Sequence, residues 1–221
     1  MNEIKKAALH TIDAHANTFT AISDAIWDEP ELSLKEFKAA ALYTDALEKL
    51  GFTVQKNLCG IETAFSGSYG SGHPVIGILG EFDALSGLSQ QSGVAEAQSV
   101  TPGGNGHGCG HNLLGAGSAA AGIALAQLVD EGLPATVVVY GTPAEETLAG
   151  KTIMIENGYF RDVDVCLAWH PLDHNDPGEV KFKAAEALTF TFHGRAAHAC
   201  NCPENGRSAL DAAELTNIGV N

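Results

Sequence analysis

The sequence predicts an α/β fold with a largely parallel central sheet, and three observations predict it. Strand-like and helix-like segments alternate between residues 52 and 168. Two of the strands, Val75-Ile76-Gly77-Ile78-Leu79 and Ala135-Thr136-Val137-Val138-Val139-Tyr140, are near-continuous apolar runs, as strands covered on both faces must be. The segment from Leu113 to Leu128 is apolar nearly all round, which suits a helix buried in the middle of the fold. Helices layered on a parallel sheet satisfy all three.

Each element has its own signal. From Asn2 to Trp27, apolar residues recur at helical spacing (Ile4, Ala8, Ile12, Phe19, Ile22, Ile26), and Pro30 ends the helix. Ser33 followed by Glu36 has the spacing of a capping box, opening a second helix that stops at Gly51. Short runs at 52–54, 63–65 and 75–79, bounded by Gly, Pro and Ser, read as strands. Residues 81–110 lack periodicity, and a connection of that length usually carries a site. After the apolar helix come the strand at 135–140, a helix from Ala149 to Asn157 closed by Gly158, and a strand at 163–168. Beyond His170 the pattern changes. Val180-Lys181-Phe182 and Leu188-Thr189-Phe190-Thr191-Phe192 follow each other as an antiparallel pair would, and a helix begins near Ser208. The length suits one domain and a half.

With 12 Lys and Arg against 27 Asp and Glu, the net charge is −15, so there is no electrostatic footprint for a phosphate backbone or an anionic membrane. Nucleic acid and membrane are not expected partners. The start of the chain lacks the apolar region of a secretory signal, and five cysteines are too few and too irregular for a disulfide framework. A soluble cytoplasmic protein with reduced thiols is expected.

Three segments concentrate metal-ligating side chains, each at a strand end or a helix start. Gly106-His107-Gly108-Cys109-Gly110-His111-Asn112 places a thiol and an imidazole two residues apart on a glycine-freed backbone, before the apolar helix. The helix N-terminus there is expected to lower the thiol pKa. Glu145-Glu146 sets two carboxylates at the end of the strongest strand, where they repel unless a cation joins them. His170 ends the next strand. Each segment has a bland alternative: an incidental turn, a solvated helix start, a satisfied histidine. Their convergence on the carboxyl ends of strands, where open sheets bind ligands, favours a common site.

GHGCGHNLLG, GTPAEE, AWHP and HGRAAHA, in this order, resemble the M20 metallopeptidases, in the amidohydrolase branch of N-acyl amino acid and aminobenzoyl-glutamate hydrolases. Glu29-Pro30-Glu31-Leu32, Gly80-Glu81-Phe82-Asp83-Ala84-Leu85 and Gly206-Arg207-Ser208-Ala209-Leu210-Asp211-Ala212 extend the resemblance over nearly the whole chain. Asn112 after His111 is similar to the aminobenzoyl-glutamate hydrolase subgroup. The resemblance implies a three-layer zinc-peptidase-like catalytic domain over residues 1–184 and the start of a smaller α+β lid and dimerisation domain over 185–221. It implies two divalent ions, Zn²⁺ or Mn²⁺, with Cys109 bridging them, His111 and His170 on one and Glu146 on the other. Glu145 would be the general base, taking a proton from water, and His198 the donor to the oxyanion, acting across a homodimer. Asp83 would orient a ligating imidazole.

The expected function is therefore hydrolysis of an amide in a small molecule with a free carboxylate. A final His ligand of the family has no counterpart, which motivates the alternative of a truncated, non-catalytic metal-binding or dimerising homologue. A third reading makes Cys109 a nucleophile with His107 or His111 as its base. Locally, His193, His198, Cys200 and Cys202 offer an alternative small zinc site, and Cys59 and Cys166 read as ordinary buried thiols.

Overall fold

The computed structural model describes residues 3–176, 184 and 187–221. They divide into two compact units, Met1–His174 and Asn175–Asn221. The expected boundary between residues 184 and 185 adjoins residues outside the described set.

The first unit runs α1 (Glu3–Asp28), α2 (Phe37–Lys49), β1 (Thr53–Lys56), β2 (Phe65–Gly70), β3 (Val75–Gly80), α3 (His111–Asp130), β4 (Thr136–Gly141), α4 (Gly150–Glu156) and β5 (Val165–Leu167). The five strands form one sheet in the order β1-β2-β4-β3-β5. β3 is parallel to both its neighbours, pairing Val75 with Thr136 and Ile76 with Val165. β2 runs antiparallel to β1 and β4, which turns one edge of the sheet the other way.

Alternation along β4 explains the layers. Val139 joins the core made by Phe19, Ile22 and Ile26 of α1, Tyr43 and Leu47 of α2, and the alanines of α3. Val138 and Tyr140 face the opposite side, with Met154 of α4, Leu58 and Ile61. A strand whose two faces both bury apolar side chains requires helices on both, so the unit is a three-layer α/β fold. By length and composition α3 is apolar enough to cross a membrane, but 67% of its most apolar stretch is buried inside the protein. This places it as the central helix.

Two expectations need correction. Ser33 and Glu36 do not form a capping box: the Ser33 hydroxyl donates to Asp83 at 2.7 Å, and Glu36 is wholly buried. Instead, the Glu31 carboxylate accepts from the backbone N–H groups of Lys38 and Ala39 and caps α2 from outside. Nor are Cys59 and Cys166 buried, Cys59 being half-buried and Cys166 exposed on the edge strand β5.

Residues 81–110 contain no helix or strand, yet both ends are pinned. Leu85 and Gly106 exchange backbone hydrogen bonds of 3.0 Å, and Ala84 N donates to Glu31 O at 2.8 Å. The loop thus returns on itself and sets Glu81 and Asp83 beside His107, Cys109 and His111.

In the second unit, α5 (Ala209–Val220) is capped by Ser208, whose hydroxyl accepts from Asp211 N at 3.0 Å. Arg195 and Arg207 pair through their backbones. Residues 188–192 form no strand, and their expected partner at 180–182 lies outside the described residues.

Candidate metal centre

The centre is assembled where β3, β4 and β5 end. His111 is the first residue of α3, preceded by Gly110 at φ +85°, a left-handed turn that a side chain would strain. Gly115, one turn on, allows the helix to approach closely, since a Cβ there would meet Tyr43 Oη at 2.5 Å and the Glu81 carbonyl at 2.7 Å. Glu81 and Asp83 follow β3, Glu145 and Glu146 follow β4, and His170 follows β5. Trp169 docks the last of these onto α3, its indole N–H donating to Leu114 O at 3.1 Å.

Asp83 is the organiser. It is fully buried and accepts from the Ser33 hydroxyl, from Glu146 N at 3.0 Å and from His111 Nδ1 at 3.1 Å. Burial opposes its ionisation, but these donors outweigh burial and hold its pKa below the usual carboxylate range. Glu36 is a second buried acceptor, but there burial outweighs the donors and its pKa is raised. Its carboxylate accepts from the Thr63 hydroxyl at 2.9 Å and from Ala144 N at 2.8 Å. Ala144 has φ 58°, so this buried acceptor holds the strained residue from which Glu145 and Glu146 project.

The two imidazoles are oriented alike. His111 Nδ1 also lies 3.0 Å from the Asp83 carbonyl, and His170 Nδ1 lies 2.9 Å from the Pro171 carbonyl. A carbonyl can only accept, so each Nδ1 carries the proton and each Nε2 turns a lone pair towards the centre. Cys109 Sγ is 3.3 Å from His170 Nε2 and also lies against Glu146. One ligand atom from each of Cys109, His111 and His170 lies within 4.8 Å of the others, and Glu81, His111 and Glu145 form a second such set. The structure thus brings together Cys109, His111, Glu145, Glu146 and His170, all named from the sequence, and adds Glu81.

Glu146 Oε1 lies 3.8 Å from His111 Nδ1, whereas Glu145 Oε2 lies 3.8 Å from His111 Nε2. Glu145, not Glu146, belongs to the second set.

A cation fits this arrangement. Among the described residues, Glu81 Oε2, His111 Nε2 and Glu146 Oε1 are buried polar atoms without a hydrogen-bond partner; the first two lie 3.1 Å apart, and Glu146 Oε1 lies 3.8 Å from Nδ1 of the same imidazole. The donor set of sulfur, imidazole and carboxylate suits Zn²⁺ or Mn²⁺. Burial first, then the charge and hydrogen bond of Glu146 and the charges of Glu145 and Glu81, push the Cys109 thiol up to about 12. This reverses the expected effect of the helix N-terminus, because burial together with the neighbouring carboxylates outweighs half a helix charge. Without a cation, Cys109 is a poor candidate for a free thiolate nucleophile. Burial and the Glu81 charge likewise raise Glu145 against the opposing pull of Lys151 and His111.

His107 serves the scaffold: its Nε2 lies 3.1 Å from Ile26 O, and burial pushes its pKa down to about 4. A cavity of about 800 Å³ opens beside Cys109, between Asp24 and Asp28 of α1 and Gln90 and Gln91 of the long loop. In the second unit, His198 Nδ1 accepts from the backbone N–H groups of Cys200 and Asn201, both at 3.2 Å, which leaves Nε2 as its donor. Among the described residues, His193, His198, Cys200 and Cys202 do not converge as a metal-ligand set.

Residues 77–217 match peptidase family M20/M25/M40. The chain is 48% identical to a subunit of the p-aminobenzoyl-glutamate hydrolase of Escherichia coli, over its whole length and 46% of that protein. It is 33% identical to the Xaa-Arg dipeptidase of Mus musculus, over 98% of this chain and 50% of that one. Among solved structures, a dinuclear metal-binding peptidase of the M20 family from Bacillus subtilis superposes with a TM-score of 0.60 at 26% identity, over 70% of this chain and 42% of the other. The chain spans about half the length of the curated relatives it matches.

Proposed function

This chain belongs to peptidase family M20/M25/M40, and we propose that it is the part of a metal-dependent amidohydrolase that carries the catalytic centre. The substrate is an N-acyl amino acid, an aminobenzoyl-glutamate or a dipeptide-like amide with a free carboxylate. Two relatives support that class, since one is named for aminobenzoyl-glutamate and the other for dipeptides. The observation that carries the reading is that Cys109 and His170 on one side, and Glu81 and Glu145 on the other, each gather with the wholly buried His111, whose Nε2 has no hydrogen-bond partner.

Cys109, His111, Glu146 and His170 would hold two divalent ions, Zn²⁺ or Mn²⁺. Bound there, such ions would supply Lewis-acid polarisation of the amide carbonyl and hydroxide at neutral pH. Glu145 would be the general base, taking a proton from water at its carboxylate and returning it to the leaving amine; its Oε2, 3.8 Å from His111 Nε2, supports the reading. Asp83 holds His111 in the tautomer that presents Nε2, and Glu36 fixes the turn that aims Glu145. His198, with Nδ1 committed to its own loop, has Nε2–H to donate to the carbonyl oxygen as charge develops there. Dimerisation through the second unit and a cytoplasmic location complete the proposal.

The test is hydrolysis of N-acyl amino acids, dipeptides and aminobenzoyl-glutamate before and after chelation, with Zn²⁺ or Mn²⁺ added back. Activity lost to chelator and restored by metal is expected. Activity that survives chelation but not thiol alkylation would instead favour Cys109 as nucleophile, and metal binding without turnover the non-catalytic alternative.

A further inference from the structure

We propose that Glu81 is itself a metal ligand, sharing one ion with His111 and held in place by Lys151. The inference rests on the metal-centre reading above and adds a residue to it. Glu81 Oε2 lies 3.1 Å from His111 Nε2, close enough for a hydrogen bond. Neither atom makes one. The reason is geometric: a hydrogen bond needs the acceptor along the N–H axis, and these two atoms do not meet that condition.

The tautomer sharpens the point. His111 Nδ1 faces the Asp83 carbonyl and carboxylate, so its proton sits there and Nε2 is a lone pair. A lone pair and a carboxylate oxygen in contact, both buried, repel each other. A proton added at Nε2 would not point at Glu81. Two atoms converging on a common third point behave differently, because ligands at about 2.1 Å from one ion, separated by about 90–110°, are about 3.0–3.4 Å apart. The observed 3.1 Å falls in that window.

The other oxygen of the same carboxylate is engaged. Glu81 Oε1 lies 2.6 Å from Lys151 Nζ at the start of α4, which fixes the carboxylate so that Oε2 alone faces the centre. Glu145 Oε2 stands 3.8 Å from the same imidazole nitrogen, beside the ion that Glu81 and His111 would hold and within reach of what binds there.

Chelator-stripped protein titrated with Zn²⁺ by calorimetry, and with Co²⁺ followed by visible absorption, tests the assignment. Wild type is expected to take two equivalents. Glu81→Gln should weaken one of them by at least about 100-fold, beyond what loss of an outer partner causes, and alter the Co²⁺ ligand-field bands while the Cys109 thiolate-to-cobalt band persists. Circular dichroism in chelator should show the variant folded. Glu81→Asp keeps the charge but withdraws the oxygen, and should stay weakened. Unchanged affinity in Glu81→Gln, or full rescue by Asp, would overturn the ligand role. Failure of wild type to bind metal would instead overturn the centre itself.

Discussion

The two halves of the candidate metal centre are built differently. On one side, His111 and Asp83 are wholly buried and tied to Ser33, Glu146 and the Asp83 carbonyl, while Glu81 is clamped by Lys151. On the other, His170 is exposed, Cys109 and Glu145 are partly open, and a large cavity begins beside the thiol. The closed half resists reorientation because its polar groups are either bonded or aimed at one point. The open half leaves room for a substrate. The difference teaches that such a centre would fix a cation from beneath and leave the reacting face accessible.

That contrast can be broken by mutation, beginning with the open half. Glu145→Gln is expected to reduce kcat by about 10²–10⁴-fold, the usual worth of a general base, while metal content measured by mass spectrometry stays at the wild-type level. Loss of metal would show that Glu145 is a ligand and that Glu146 has the other role. His198→Ala carries the comparison to the second unit. It should lower kcat by about 10²–10³-fold, as removal of an oxyanion donor does, with KM and metal content little changed; unaltered kinetics would remove it from the reaction.

In the closed half, Asp83→Asn should weaken metal binding by about 10–100-fold, the typical effect of losing a partner that orients a ligating histidine, and calorimetry would register it. Equal affinity would mean that the Asp83 carbonyl alone orients His111. The smallest effect is expected beneath the centre. Burial raises the Glu36 pKa, so its ionised form burdens the fold above that raised value, and the native state is favoured as pH falls. Glu36→Gln keeps an acceptor for Ala144 N without the charge. Its melting temperature should equal or exceed wild type at about pH 8, and the advantage should shrink as the pH approaches about 4.5. A melting temperature lower by the same margin at both pH values would mean that shape, not charge, governs this site.

The strands with β-branched runs, β3 and β4, are legible in the sequence because a buried parallel strand has few other sequences available to it. Of β2 only Phe65 is, at the end of the strand expected over 63–65; Ser66-Gly67-Ser68-Tyr69-Gly70 carries two glycines and no β-branched residue, and only its pairing with β1 and β4 makes it a strand. The capping-box pattern misleads for a similar reason: Asp83, 50 residues away, claims the Ser33 hydroxyl, and Ala144, 108 residues away, claims Glu36. Glu81 stands within Gly80-Glu81-Phe82-Asp83, but nothing in a carboxylate after a strand distinguishes a ligand from a solvated loop residue. Its contact with His111 does.

What the sequence determined by itself was the layered α/β plan, the acidic charge and the convergence of Cys109, His111, Glu145, Glu146 and His170 on one end of the sheet, because periodicity and strand-end position are local properties. What only the tertiary structure decided was which oxygen and which nitrogen face the centre. Hydrogen-bond partners are assigned in three dimensions, and a side chain becomes a ligand only when its other polar atoms are already satisfied.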